Sequence, residues 1–489
     1  MSSTPAPNAT IIALASGQGR AGVAVIRVSG PEAGTLLERL AGVRPAPRLA
    51  SVRAVRDPAT GENLDEALAL WMPGPNSFTG EDVAELHLHG GPAIIESVVR
   101  ASLSTGLCRL AEPGEFTRRA FEAGRLSLLE AEAVADLIDA ETEAQRRQAA
   151  RIYQGEADRV YEGWRELLIR AMADLEAAID FPDEEDIAAG IVDRAMGPMA
   201  EFGAELDRAL AGADMGRAVR EGFRIAILGP PNAGKSSLLN RIAGREAAIV
   251  SPIPGTTRDV VEVRLVLAGF PVWIADTAGL REAADQIEAE GVRRSLVRAE
   301  EADLRIWVQD VSRETLDSEE PDSGVSRETL IRPASLSPSS SGASSLSSSG
   351  VSSGAPATDV RPGDLVVLNK ADLAPPDVLS GGSTPEGVLA VSAQTGAGVE
   401  ALLRRITEEI VGRMSAMEAP TITRTRHRLL VEEAAERVRA AIAAHRAGRG
   451  PELISEELRL AARALGQVIG VVDVEDLLDR IFSEFCIGK

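Results

Sequence analysis

The run Gly229-Pro-Pro-Asn-Ala-Gly-Lys-Ser236 holds the residue types that wrap a phosphate chain: glycines for a tight turn, then a lysine and a hydroxyl. The apolar Phe223-Arg-Ile-Ala-Ile-Leu228 before it predicts a strand, and Ser237-Leu-Leu-Asn-Arg-Ile-Ala243 after it a helix. Backbone N–H groups and a helix N-terminus can then cradle phosphates. Asn232, Ala233, Gly234, Lys235, Ser236 and Ser237 are the candidate phosphate-binding residues, with Lys235 on the β- and γ-phosphates and Ser236 on Mg2+. A glycine turn that fits the pattern by chance is the plain alternative.

Other motifs argue against chance. Asp276-Thr-Ala-Gly279 ends the apolar run Val272-Trp-Ile-Ala275, placing an acid (Asp276) near Mg2+, with Thr277 and Ala278 leading to a Gly279 amide near the γ-phosphate. Asn369-Lys-Ala-Asp372 ends Leu365-Val-Val-Leu368; the Asp372 carboxylate can accept from the N1 and N2 edge of guanine, a donor pair adenine lacks, with Lys370 and Ala371 between. Ser392-Ala-Gln394, which contains Ala393, ends Val388-Leu-Ala-Val391 and would present a backbone N–H to guanine O6. Motifs in this order, each ending a candidate parallel strand, imply a guanine-nucleotide site and GTP hydrolysis.

The hydrolytic chemistry must be unusual in one respect. Leu280 follows Gly279 where many small GTPases carry a water-orienting Gln, so water positioning and transition-state charge must come from elsewhere. Asn232 offers a carbonyl oxygen near the phosphates, where a monovalent cation could replace an arginine finger; the bland reading is that it only shapes the loop. Gly255-Thr-Thr-Arg-Asp259 supplies Thr257 as a Mg2+ and γ-phosphate sensor, and Glu288 is a candidate water-positioning base or simply one acid of an acidic helix.

The 489 residues suggest two to four domains, and a net charge of −22 argues against a broad electrostatic grip on nucleic acid. Any RNA contact must be a local patch or belong to a partner. Two cysteines, Cys108 and Cys486, supply no disulfide framework. No apolar run is long enough to span a bilayer and the start lacks a signal pattern, so the expectation is a cytoplasmic protein with no membrane partner.

Near the N-terminus, strands are expected around Ile11-Ile12, Val25-Ile26, Glu66–Met72 and Val83–His89. Arg27 interrupts one of them, facing either solvent or a ligand pocket. Glu85, His87 and His89 share a strand face, read as ligand-facing or merely polar in preference to a metal site. Cys108 reads as a small core residue. Ser127 and Glu130 have capping-box spacing, and helical pattern then runs to about Ile179 and again over Met196–Leu210, Val399–Val411, 424–448 and 451–465. The acidic Phe181-Pro-Asp-Glu-Glu-Asp186 reads as a solvated loop or helix start. A Ser/Gly/Pro/Ala-rich stretch, about 312–360, is expected to be a disordered insertion; in and beside it Val311-Ser-Arg-Glu-Thr-Leu316 recurs as Val325-Ser-Arg-Glu-Thr-Leu330.

Taken together, Val25-Ile-Arg-Val-Ser-Gly30, Pro73-Gly-Pro-Asn-Ser-Phe-Thr-Gly-Glu-Asp82, Pro113-Gly-Glu-Phe-Thr117, Phe181-Pro-Asp-Glu-Glu185, Gly255-Thr-Thr-Arg-Asp259 and the terminal Cys486-Ile-Gly-Lys489 resemble the tRNA modification GTPases of the MnmE (TrmE) family. The resemblance implies an α/β multidomain protein: an α+β N-terminal folate-binding and dimerisation domain (1–122), a discontinuous all-α helical domain (123–219 and 416–489), and an inserted Ras-like P-loop GTPase domain (220–415). It makes Asn232, Ser251, Ile253 and Thr256 the K+ ligands and Ser236 and Thr257 the Mg2+ ligands. The loop Ser251, Pro252, Ile253, Pro254, Gly255, Thr256, Thr257 lies at the nucleotide; Arg258 is tied to activation and Glu288 is the catalytic glutamate. Arg27, Glu85, Arg125 and Lys489 correspond to contacts for a tetrahydrofolate derivative (5,10-methylene- or 5-formyl-), Arg125 standing where a lysine is expected; Cys486 is a possible nucleophile or a structural residue. The implied partners are a second copy of the chain, GTP, an FAD- and NADH-using MnmG (GidA) protein in a heterotetramer, and tRNA held mostly through that partner. The implied reaction adds an aminomethyl or carboxymethylaminomethyl group to C5 of a wobble uridine. A ribosome-assembly GTPase would show a Gly-x-x-Gly RNA-binding module, and a septin- or dynamin-like scaffold a membrane-binding stretch; neither is found in the sequence.

Overall fold

A computed structural model of the protein describes residues 9–180, 185–244, 262–276, 300, 302–311, 363–373, 388–415, 421–472, 475–483 and 485–488. The chain folds as two compact units, one of Met1–Asp139, Ala149–Ala211 and Arg424–Lys489, the other of Ala140–Gln148 and Gly212–Thr423. The stretch 312–360 with the second copy of the hexapeptide lies outside the described residues.

The first unit begins with β1 (Ile11–Leu14), β2 (Ala21–Ser29), α1 (Ala33–Ala41), β3 (Ser51–Arg56), β4 (Asn63–Met72), β5 (Val83–Gly90), α2 (Pro92–Ser104), β6 (Arg109–Leu110) and α3 (Glu115–Glu122). The strands form one sheet in the order β3-β4-β5-β2-β1-β6, antiparallel except for the β1–β6 pair. Period-two alternation decides its faces: Ala84, Leu86 and Leu88 of β5 join Ile26 and Val28 of β2 and Leu36, Leu37 and Leu40 of α1 in one core, leaving Glu85 and His87 on the other face. Cys108 packs against this core. His89 turns away from Glu85 and pairs with Asp65 at 2.7 Å.

Helices follow: α4 (Leu128–Asp139), α5 (Glu143–Tyr153), α6 (Glu156–Asp180), α7 (Glu185–Met196) and α8 (Met199–Ala211). The expected capping box opens α4, with the Glu130 N–H donating to Ser127 Oγ at 3.0 Å and the Ser127 N–H donating to Glu130 Oε2 at 2.8 Å. In α6, Tyr161, Trp164, Leu168, Ala171 and Leu175 recur at helical spacing and are buried; Trp164 stacks edge-on with Tyr161 and Phe202.

The second unit carries α9 (Ala213–Glu221), β7 (Phe223–Leu228), α10 (Lys235–Ala243), β8 (Glu262–Leu267), β9 (Phe270–Asp276), β10 (Leu304–Asp310), β11 (Leu365–Asn369), β12 (Val388–Ala390) and α11 (Val399–Ser415). Its sheet runs β12-β11-β10-β7-β9-β8, all parallel except β8 against β9. Ile225 and Ile227 of β7, Leu238, Leu239 and Ile242 of α10, Ile306 and Val308 of β10 and Leu402, Ile406 and Ile410 of α11 make its core. This is a P-loop GTPase-like fold. β10 is not among the expected strands, yet Leu304, Ile306 and Val308 alternate with Arg305, Trp307 and Gln309 and are buried.

The chain returns to the first unit with α12 (Thr425–Arg446), α13 (Pro451–Ile469) and α14 (Glu475–Ser483). α12 packs on α8, and α13 on α6. Helices from both flanks of the GTPase-like unit therefore share one bundle. Among the described residues no helix is long and apolar enough to cross a membrane.

Candidate functional site

Three of the described loops, those after β7, β11 and β12, meet at the C-terminal edge of the parallel sheet. β7 is where strand order reverses, with β9 on one side and β10 on the other, so a crevice opens beyond its end. The turn out of β7 needs its glycines: Gly229 has φ +139° and a Cβ there would lie 2.0 Å from the Val308 carbonyl oxygen of β10. Gly234, at φ +84°, caps α10, and a Cβ would meet Asn369 Nδ2 at 2.2 Å. Between them Asn232 adopts φ +63°, with its side chain exposed and making no hydrogen bond among the described residues. Lys235 curls back over the loop, its Nζ donating to the Gly229 and Pro230 carbonyls at 3.0 and 2.7 Å. Ser236 and Ser237 follow in the first turn of α10 and are exposed.

Asn369 joins the glycine turn after β7 to the loop after β12. It is 1 % exposed; its Nδ2 donates to the Ala233 carbonyl at 2.8 Å, and its Oδ1 accepts from the Ala393 N–H at 3.1 Å. Lys370, at φ +61°, pairs through Nζ with Asp310 Oδ2 at 2.5 Å. Ala371 starts a 3-10 turn, and its N–H donates to the Val391 carbonyl. Asp372 accepts from the Ser392 hydroxyl, which orients its carboxylate. Asp276 closes β9, beside β7, in parallel register with Ile227.

Two participants lie outside the sequence motifs. Asp310, which holds Lys370, ends β10, and the alternation of that strand is the signal that could have found it. Arg241, six residues into the helix that follows the glycine turn, donates from Nε to the Ala393 carbonyl at 2.8 Å and from Nη2 to that of Gln394. Its helical position, away from buried Leu238, Leu239 and Ile242, puts it on the outer side but names no partner. Ser251, Pro252, Ile253, Pro254, Gly255, Thr256, Thr257, Arg258, Thr277, Ala278, Gly279 and Glu288 lie outside the described residues, as does Lys489.

A second constellation sits on the sheet of the first unit. Arg27 and Glu85 are directly opposed across β2 and β5, and Arg27 Nε donates to Glu85 Oε1 at 2.8 Å. His87 Nε2 lies 3.2 Å from the other oxygen. The guanidinium carbon of Arg27 stands 5.4 Å and 5.8 Å from the ring centroids of Phe78 and Phe116. The C-terminal tail reaches this edge: Ile487 bridges Pro113, and a Cβ on Gly488 would stand 1.9 Å from the Leu14 carbonyl oxygen. Leu14 follows Ala13, the cross-strand partner of Arg27, so the exposed Cys486 lies close along the chain to that contact. Arg125 is exposed and runs beside Gly80, in the same loop as Phe78. Burial pushes the Cys108 thiol up to about 11.

Among the described residues no cluster of three or more His, Cys, Asp or Glu side chains could hold a metal ion.

Comparison with known proteins covers nearly the whole chain. A family model for the GTP-binding protein TrmE N-terminus matches residues 10–125, and one for the MnmE helical domain matches residues 128–486. The tRNA modification GTPase MnmE of Maricaulis maris is 50% identical over 486 residues, 99% of this chain and 100% of the relative. That of Parvibaculum lavamentivorans is 50% identical over 482 residues, 98% of this chain and 100% of the relative. Among solved structures, the G domain of the T. maritima FeoB iron transporter covers 39% of this chain and 98% of its own at 21% identity, with a TM-score of 0.23.

Proposed function

The chain belongs to the MnmE family of tRNA modification GTPases, and from that membership we propose that its GTP hydrolysis is potassium-assisted and drives modification of a wobble uridine. The observation that supports this reading is the loop cluster at the C-terminal edge of the parallel sheet, where Asn369 ties Ala233 to Ala393. That tie holds a phosphate cradle and a guanine reader at one spacing.

Asn232 suits a potassium ligand, because its exposed side chain has no competing hydrogen bond among the described residues; Ser251, Ile253 and Thr256 would complete the set. Ser236 and Thr257 would hold Mg2+. Potassium there would supply the charge an arginine finger supplies elsewhere, helping two GTPase domains to pair. Arg258 and Glu288 would complete the site, Glu288 acting on the attacking water through a second water.

Arg27 and Glu85, beside the rings of Phe78 and Phe116, suit a tetrahydrofolate derivative: an oriented carboxylate for its ring N–H edge and aromatic faces beside it. Arg125 and Lys489 would complete that contact, and the folate would supply a one-carbon unit. We assign the chain a homodimer through residues 1–122 and a heterotetramer with an FAD- and NADH-using MnmG-type protein. Together they would add an aminomethyl or carboxymethylaminomethyl group to C5 of the uridine, tRNA being held mostly by the partner.

GTP turnover in potassium against sodium, on the full chain and on Asn232→Ala, tests the mechanism. Potassium stimulation that falls on the order of 100-fold in the variant is expected. Equal rates in both salts would overturn it.

A further inference from the structure

We infer that Arg241 is a positioning residue for base recognition: it fixes the peptide plane whose N–H reads the C6 oxygen of guanine. The inference rests on the guanine-site reading above and names a residue that the nucleotide motifs do not contain.

The argument is an inventory of amides. In the loop after β12, the Ser392 N–H donates to the Ala397 carbonyl at 2.9 Å, the Ala393 N–H to Asn369 Oδ1 at 3.1 Å and the Thr395 N–H to Ser392 Oγ at 3.1 Å. The Gln394 N–H has no acceptor among the described residues. It is therefore the amide of Ser392-Ala-Gln394 left for a ligand. That N–H and the Ala393 C=O belong to one planar trans peptide and point in opposite directions, so fixing one fixes the other. Arg241 Nε donates to that carbonyl at 2.8 Å, and Nη2 donates to the next one, at Gln394. A guanidinium is a rigid planar fork, so the two bonds together set the orientation of the plane.

The surroundings agree. A cavity of about 610 Å³ opens between α10 and this loop, lined by Ser237, Asn240, Arg241, Ala393 and Thr395. Because α10 starts at the phosphate loop, the bond from Arg241 to the base-reading loop is a second link between the two ends of a nucleotide. Asn369 is the first.

The test is competition against a fluorescent GDP on the full-length protein, with GDP and 6-thio-GDP as competitors. Sulfur at C6 is a poor acceptor and leaves the N1 and N2 donors in place. The wild type should prefer GDP. Arg241→Ala should weaken GDP by roughly three- to tenfold, the value of one hydrogen bond, leave 6-thio-GDP nearly unchanged, and so collapse the preference. Arg241→Lys, able to reach one carbonyl at a time, should fall between. Equal loss for both nucleotides would make Arg241 a loop support only, and no loss, or a wild type without preference, would equally overturn the inference. Asp372→Asn, measured with GDP and XDP, separates the two levels. If it fails to shift preference toward XDP, the guanine-site reading itself falls; if it shifts while Arg241→Ala keeps the sulfur discrimination, only the role of Arg241 falls.

Discussion

Replacing Glu132 by Gln removes the anion on which the start of α12 converges. Arg426 Nη2, His427 Nε2 and Arg424 Nε lie 3.0, 2.8 and 3.6 Å from Glu132 Oε2. Burial works to raise the carboxyl's pKa, but attraction to Arg426, then His427 and Arg424, outweighs it and holds the group well below the usual carboxylate range. Gln keeps the shape and loses the charge, leaving two guanidinium groups short of an anion. Breaking a buried pair in this way costs about 3–5 kcal/mol. Arg424 keeps Asp136 Oδ1 at 2.7 Å, and Arg426 keeps the carbonyls of Gln467 and Val468 at 3.0 and 3.1 Å. The loss should therefore sit at the lower end, about 3 kcal/mol. The chain passes between its two units four times, and two of those crossings, after Asp139 and before Arg424, lie next to the cluster in sequence. Hydrogen exchange of peptides from α4 and the first turns of α12 reads the loss locally. About 3 kcal/mol corresponds to roughly hundredfold faster exchange. Acceleration of less than about fivefold would refute the reasoning, since it would mean the carboxylate stabilises no more than a surface ion pair does.

The same cluster sets a pH dependence. Burial, partly opposed by Glu132, pushes the His427 imidazole from 6.5 down to about 4. Between those values the unfolded chain binds a proton that the folded chain refuses, so stability is present above 6.5 and lost as pH falls toward 4, by up to about 3 kcal/mol. The urea midpoint of the wild type should accordingly fall more steeply over that range than that of His427→Asn; parallel profiles would contradict it. Arg27→Ala should weaken 5-formyltetrahydrofolate roughly ten- to hundredfold by calorimetry, the value of a charge-assisted contact, while GTP turnover without tRNA stays unchanged. Unaltered folate affinity would remove Arg27 from that site. A disulfide reagent at pH 8 should label Cys486 fast and Cys108 slowly, since burial holds the Cys108 thiol near about 11. Two equal fast phases would be inconsistent with the packing of Cys108.

Much of the architecture is legible in the sequence because it is local. The strands at Phe223, Val272, Leu365 and Val388 follow from apolar runs, and the start of α4 from a capping pair that forms both reciprocal bonds. Residue types suited to a phosphate chain or a guanine edge are few and strictly ordered, so the motifs proposed for them stand in plain view.

Local sequence thus specifies the elements and the chemistry at their ends: a strand, a glycine turn and a lysine-bearing helix state their own purpose. Which groups face one another across the chain is settled by the tertiary fold. Only the sheet order places β10 between β7 and β11 and so brings Asp310 to Lys370. Only packing delivers Arg241 to the carbonyls of Ala393 and Gln394, Arg424 and His427 to Glu132, and the tail at Ile487 to Pro113. The difference is one of range. Propensity and periodicity act over one or two turns of chain, whereas a guanidinium in search of an acceptor is indifferent to sequence distance and finds the one the core puts within reach.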